Sequence, residues 1–302
     1  MYILETIGLC HQFNRGDRVV NELNLRVPRG SIYGFLGPNG AGKTTTLRLV
    51  LGLIKQQRGQ IHIFGKPLGH NRVAILKQIG SLIDSPSFYG HLTAAENLMV
   101  YQKLYQCPKD RIREVLEMVG LPNTGNKKAG RFSLGMKQRL GIAIALLHNP
   151  GFLILDEPTN GLDPNGMIEI REMLIRMNRE HGISVLVSSH LLAEMEKLVS
   201  HVGIIDKGRL IYEGTLGELR ERRHQALQVS WEVSDAARAM EILMGRHLAE
   251  KLNDNRLITS GLTKSQIGAI NRELVEAGIS VSGISGNNKD LENIFIDLIG
   301  KS

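Results

Sequence analysis

The chain is poor in cysteine, in tryptophan and in long apolar runs. Its two cysteines, Cys10 and Cys107, are too few for a disulfide framework and lack metal-ligand spacing, so a reducing, cytoplasmic setting is expected. The longest unbroken apolar run, Ile142–Leu147, falls far short of the ~20 residues that span a bilayer. Met1 to Cys10 carries Glu5 and no basic residue, so no signal peptide is expected. The one tryptophan, Trp231, sits in an alternating strand pattern and reads as core rather than as a ligand platform.

What is present suits a folded chain. Hydrophobic residues at 42% and charged residues at 22% exclude a disordered polymer. A length of 302 residues admits one large domain and a small one, or two moderate ones. The net charge of +7 is unevenly placed, with +8 on residues 1–220 and −1 on residues 221–302. The basic excess is scattered, densest at Arg220-Glu221-Arg222-Arg223 and Lys127-Lys128. It reads as solvated surface, and no nucleic-acid partner is expected.

To about Arg220, short apolar runs alternate with helical patterns. Ser31–Leu36, Phe152–Leu155 and Ile183–Val187 read as strands, the last two as buried parallel ones. Thr44–Leu51, Leu98–Leu104, Arg111–Val119, Met136–Leu147 and Met167–Arg179 read as helices. This is an α/β pattern. Beyond it, Ala226–Val233, Asp235–Met244 (with Asp235 as N-cap), His247–Leu252, Arg256–Thr259, Thr263–Glu276, Ile279–Ile284 and Asp290–Ile299 run β-α-β-β-α-β-α. That order suggests a small ferredoxin-like α+β domain. The expected domains are therefore 1–220 and 221–302.

Gly37-Pro38-Asn39-Gly40-Ala41-Gly42-Lys43-Thr44 fits G-x-x-x-x-G-K-[ST] between a strand and a helix, the context that gives the motif its meaning. Glycines let the backbone curl so that several N–H groups face one phosphate, and the following helix adds its positive end. Asn39, Gly40, Ala41, Gly42, Lys43, Thr44 and Thr45 are the candidate phosphate-binding residues. Lys43 supplies a point charge to the β- and γ-phosphates, and the Thr44 hydroxyl can sit on Mg²⁺. About 110 residues downstream, Phe152-Leu153-Ile154-Leu155 ends in Asp156-Glu157, a pair suited to holding Mg²⁺ and polarising an attacking water.

The chain continues Pro158-Thr159-Asn160-Gly161-Leu162-Asp163-Pro164. Phe132-Ser133-Leu134-Gly135-Met136-Lys137-Gln138-Arg139 lies upstream and Ser188-Ser189-His190 downstream. With this ordered set, residues 1 to about 220 resemble the nucleotide-binding subunit of an ATP-binding-cassette (ABC) transporter. The resemblance implies a P-loop NTPase core with a helical subdomain at about 84–150, with ATP and Mg²⁺ as cofactors. It implies ATP hydrolysis in which Glu157, His190 and Lys43 are catalytic, and Thr44, Asp156 and Asp84 as metal-side residues. Phe13 falls where the family stacks adenine. Ser133 and Gly135 match the signature loop, and Asp163 the D-loop acid at a dimer interface.

The same resemblance implies a second nucleotide-binding subunit in a head-to-tail homodimer and a separate transmembrane permease docking near Asp84–Lys128. It also implies a place in the cytoplasm on the inner face of the membrane. Two departures stand out. Leu134 and Met136 replace a glycine and the glutamine of the usual signature, and Asp84 replaces the Gln-loop glutamine. The stretch Asp84–Leu98 and the tail Leu291-Glu292-Asn293-Ile294-Phe295 are similar to lantibiotic, bacitracin and multidrug exporter subunits. The competing class is a soluble ABC-type switch acting on nucleic acid or ribosomes. Such proteins usually carry two cassettes or a long inserted coiled coil, whereas here about 90 residues without sustained heptads separate phosphate loop and signature.

Overall fold

The computed structural model describes residues 1–13, 16, 18–84, 87–225, 228–243, 248–260 and 262–287. They form two compact units, Met1–Thr215 and a second that begins at Leu216. In chain order the first unit runs β1 (Tyr2–Gln12), β2 (Arg18–Leu23), β3 (Arg26–Pro28), β4 (Ile32–Leu36), α1 (Lys43–Val50), β5 (Arg58–Ile63), β6 (Lys66–Pro67), α2 (Leu68–Leu76) and β7 (Ile79–Leu82). It continues α3 (Ala94–Tyr105), α4 (Asp110–Met118), α5 (Leu134–Leu146), β8 (Phe152–Asp156), α6 (Pro164–His181), β9 (Ser184–Ser189), α7 (Leu192–Met195), β10 (His201–Asp206) and β11 (Arg209–Thr215).

Six strands lie in the order β11-β10-β4-β9-β8-β7, parallel except for the β10–β11 pair. β4, β8 and β9 are buried along their whole length, as strands covered on both faces are. Leu36 pairs with Ser189, and Asp156 with Ser188, so three adjacent strands end level at their carboxyl termini. In open α/β sheets that edge is where ligands bind.

The α/β pattern read across residues 1–220 is borne out, and the structure adds a second sheet to it. β1, β2, β3, β5 and β6 form a separate antiparallel sheet, in the order β2-β1-β5-β6 with β3 also on β1. β1 lacks a clean two-residue alternation of burial because register shifts interrupt its pairing with β2, β3 and β5. Each bulge changes the phase of the side chains. Both sheets contribute to one core, with Leu4, Leu25, Phe35, Leu47 and Phe152 fully buried in it.

Helix α3 opens with a capping box. The Glu96 N–H donates to Thr93 Oγ1 at 3.2 Å, and the Thr93 N–H donates to Glu96 Oε2 at 2.6 Å, satisfying two otherwise orphaned donors. Lys128 Nζ lies 3.1 Å from the same carboxylate. The Thr93 backbone N–H first, and then Lys128, lower the Glu96 carboxyl to about 2. Buried Asn97 accepts the Tyr89 N–H at 2.7 Å and donates to the carbonyls of Tyr89 and Thr93, which ties the preceding loop to α3.

The second unit contains α8 (Leu216–Gln225), β12 (Gln228–Val233), α9 (Ala236–Leu243), β13 (Leu248–Asn253), β14 (Arg256–Ser260), α10 (Lys264–Glu276) and β15 (Val281–Asn287). The expected boundary at 220/221 falls inside α8. The antiparallel sheet order β13-β14-β12-β15, with the β-α-β-β-α-β element order, is the ferredoxin-like arrangement. Asp235 caps α9 by accepting the Arg238 N–H at 3.0 Å. Val229, Trp231 and Val233 alternate into the core, where the Trp231 indole N–H donates to buried Thr259 Oγ1 at 2.8 Å. Leu227, the helix expected at Asp290–Ile299 and the Leu291–Phe295 tail lie outside the described residues.

Candidate active site

The loop after β4 curls as its glycines require. Gly40 and Gly42 have φ of +83° and +106°, left-handed values that suit glycine. At Gly42 a Cβ would also meet the Val19 carbonyl oxygen at 2.5 Å. α1 then starts with no side-chain cap and no acid in its first turn. Its N-terminal N–H groups and positive dipole end therefore offer themselves to an anion. Asn39 and Gly40 are exposed, Ala41, Gly42 and Lys43 are buried, and Thr44 and Thr45 are half-buried.

Lys43 bends back over the loop. Its Nζ donates to the carbonyls of Gly37 at 2.8 Å and Pro38 at 3.3 Å, and lies 3.2 Å from Glu157 Oε1. The other carboxylate oxygen of Glu157, Oε2, stands 2.9 Å from His190 Nδ1. Glu157 itself has φ +45°, a costly left-handed conformation for this residue type that clusters at functional sites.

Asp156, at the end of β8, is buried. Its Oδ2 accepts the Thr44 hydroxyl at 2.7 Å, and its Oδ1 accepts the Ser188 hydroxyl. Ser188 Oγ in turn accepts the Glu157 N–H at 2.9 Å. The pairing of Ser188 with Asp156 carries no signal in the linear sequence, which places Ser188 only in the stretch before His190. The Thr44 and Asp156 oxygens are hard donors of the kind that suit Mg²⁺, beside a loop whose uncapped N–H groups suit an anion.

Thr44, Asp84, Leu134, Gln138, Asp156, Glu157 and Asn160 line one groove of about 370 Å³. A larger groove of about 800 Å³ between α3 and α4 is lined by no phosphate-loop residue. Asp84 sits on the smaller groove with its side chain exposed and paired to Arg48 at 2.7 Å.

Four expected residues are not among those that line this groove. Phe13, just past β1, is exposed, with its ring edge-on to His11 at 4.7 Å. Ser133 caps α5 by accepting the Met136 N–H at 3.2 Å, with Gly135 in the first turn. Asp163 caps α6 by accepting the Gly166 N–H at 3.2 Å. These two helix starts are neighbours, since a Cβ on Gly161 would meet Leu134 Cδ2 at 3.2 Å.

Residues 20–160 match the family described as ABC transporter. The chain is 45% identical over 304 residues to the bacitracin transport ATP-binding protein BcrA of Bacillus licheniformis, covering 99% of this chain and 97% of that protein. It is 41% identical over 195 residues to the lantibiotic transport ATP-binding protein SrtF of Streptococcus pyogenes, covering 65% of this chain and 83% of that one. Among solved structures, cbiO1 from Clostridium perfringens, part of the ABC transporter complex cbiONQ, is similar with a TM-score of 0.67 at 29% identity. The match covers 74% of this chain and 92% of that one.

Proposed function

The chain belongs to the ABC transporter family of ATP-binding proteins, and from that membership we propose that it is the motor subunit of an exporter of an antimicrobial peptide or drug. It is an ATPase. The observation that carries the reading is the placement of Lys43, Thr44, Asp156, Glu157 and His190 around one strand edge, in a chain that aligns along nearly its whole length with a bacitracin transport subunit.

Each residue then has a task. The loop N–H groups and Lys43 bind the β- and γ-phosphates, which draws Lys43 off Glu157. The freed Glu157 carboxylate accepts a proton from the attacking water, and His190 orients that water. Lys43 balances charge developing on the phosphate oxygens. Thr44, Asp156 and Asp84 would hold Mg²⁺, which when bound supplies further neutralisation of the phosphate oxygens. Phe13 would stack on adenine, a tolerant π contact. Ser133, Gly135 and Asp163 would complete the site of a second copy in a head-to-tail homodimer.

No helix among the described residues is long and apolar enough to cross a membrane, so transport would require a separate permease. The expected docking region is Asp84–Lys128, and the groove of about 800 Å³ within it, lined by Ala95, Met99, Ile112 and Leu116 among others, supports a docking face there. Met99, Val100 and Leu104 on α3 are exposed, apolar side chains of the kind that mark an interaction surface when they lie together. The subunit would then sit on the inner face of the membrane.

The test is to express the chain with the membrane protein encoded beside it in a sensitive host. Tolerance to bacitracin or a lantibiotic should rise, and Glu157→Gln should remove the gain. Protection that persists in that variant would sink the motor reading.

A further inference from the structure

Arg48 lies one helical turn beyond Thr44 on α1, so the two side chains share a face of the helix. Arg48 Nη2 donates to Asp84 Oδ2 at 2.7 Å. Asp84 borders the same groove as Thr44, Asp156 and Glu157. Its φ is +61°, a left-handed value that asparagine and aspartate tolerate better than other residues with a Cβ.

Three carboxylates thus converge where a triphosphate would lie, and each has its own donors. Thr44 and Ser188 hold Asp156, and Lys43 and His190 hold Glu157. Arg48 holds Asp84. An acid at this position without a counter-charge would repel the phosphates at close range. The pair is solvent-exposed, with the side chains 39% and 60% accessible. Exposed pairs are weak and break readily, which suits a partner that must later give up its acid.

We propose that Arg48 is a positioning residue that neutralises Asp84 in the resting groove and yields it to the divalent cation that arrives with the nucleotide. The proposal rests on the nucleotide-binding reading above. It assigns Arg48 no contact with the phosphates; its action runs through Asp84.

The experiment measures the affinity of the intact chain for trinitrophenyl-ATP with Mg²⁺ and with EDTA, and takes the ratio of the two dissociation constants. Arg48→Ala should raise the cation dependence about three- to tenfold, chiefly by weakening binding in EDTA. In an Asp84→Asn background, which keeps a residue suited to the left-handed backbone, Arg48→Ala should leave the ratio within about twofold. Arg48→Lys should retain part of the wild-type ratio, and Arg48→Gln runs the same cycle if the alanine variant does not fold. An effect of Arg48→Ala that is equal or larger in the Asp84→Asn background would mean that Arg48 acts on the phosphates directly and would overturn the proposal. So would equal weakening in Mg²⁺ and EDTA. If the wild-type chain binds the probe in neither condition, the nucleotide reading fails with it; if it binds and the ratio ignores Arg48, only the role of Arg48 fails.

Discussion

Asp156 on β8 and Ser188 on β9 are registered partners in the parallel sheet, and the serine hydroxyl donates to the aspartate's Oδ1. The same hydroxyl accepts the Glu157 N–H, so one buried serine orients both acids at the strand end. Ser188→Ala leaves a carboxylate oxygen and a backbone N–H short of a partner. It should lower stability by about 1–3 kcal/mol and reduce kcat more than it raises KM. Thermal unfolding and steady-state ATPase assays measure both. Unchanged kcat and melting would show that Ser188 does not orient the acids.

Glu157 is held between Lys43 and His190, so removing its charge should separate chemistry from binding. Glu157→Gln should cut ATP turnover by about a hundredfold or more while retaining nucleotide binding and favouring a dimer on size-exclusion chromatography. Undiminished turnover would remove Glu157 from the mechanism.

Lys43 is almost fully buried, and its ammonium is satisfied by loop carbonyls and Glu157. Lys43→Ala should weaken ATP binding by about tenfold or more, since a charge-assisted contact to phosphate is lost. Equilibrium titration with a fluorescent ATP analogue reads this directly, and an unaltered affinity would contradict the phosphate-loop assignment.

In the second unit the Trp231 indole N–H relies on Thr259 Oγ1, and both side chains are fully buried. Thr259→Val keeps the shape and removes the acceptor, which should cost about 1–3 kcal/mol. Because Trp231 is the sole tryptophan, its fluorescence follows unfolding of this unit. Nucleotide affinity should stay at the wild-type level.

Acid should loosen the start of α3. Glu96 has its carboxyl lowered from 4.5 to about 2, chiefly by the Thr93 N–H. A depressed folded-state value stabilises above the unfolded value, and that contribution is lost as pH falls from about 4.5 towards 2. Glu96→Gln keeps a capping side chain but cannot titrate, so its stability should lack this component of the decline. Parallel stability curves for the two proteins between pH 5 and pH 2 would refute the link.

The local placement of contiguous residues can be read along the chain. Gly37–Thr44, Asp156-Glu157 and Ser188-Ser189-His190 each act as a short segment, because a strand end, a turn and a helix start are set by local sequence. The ferredoxin-like order is legible for the same reason: Val229, Trp231 and Val233 alternate into the core, and Asp235 marks the start of α9. The first antiparallel sheet is not, since bulges in β1 break the two-residue period on which such a reading depends.

The sequence by itself determined which groups could bind phosphate and where each helix and strand end would put them. Tertiary structure decided which of those groups meet. The level endings of β4, β8 and β9 bring Lys43 to Glu157 and Ser188 to Asp156, and the approach of α1 to the segment after β7 brings Arg48 to Asp84. Strand order and register arise from the burial of whole faces against one another, a collective property that no single segment encodes.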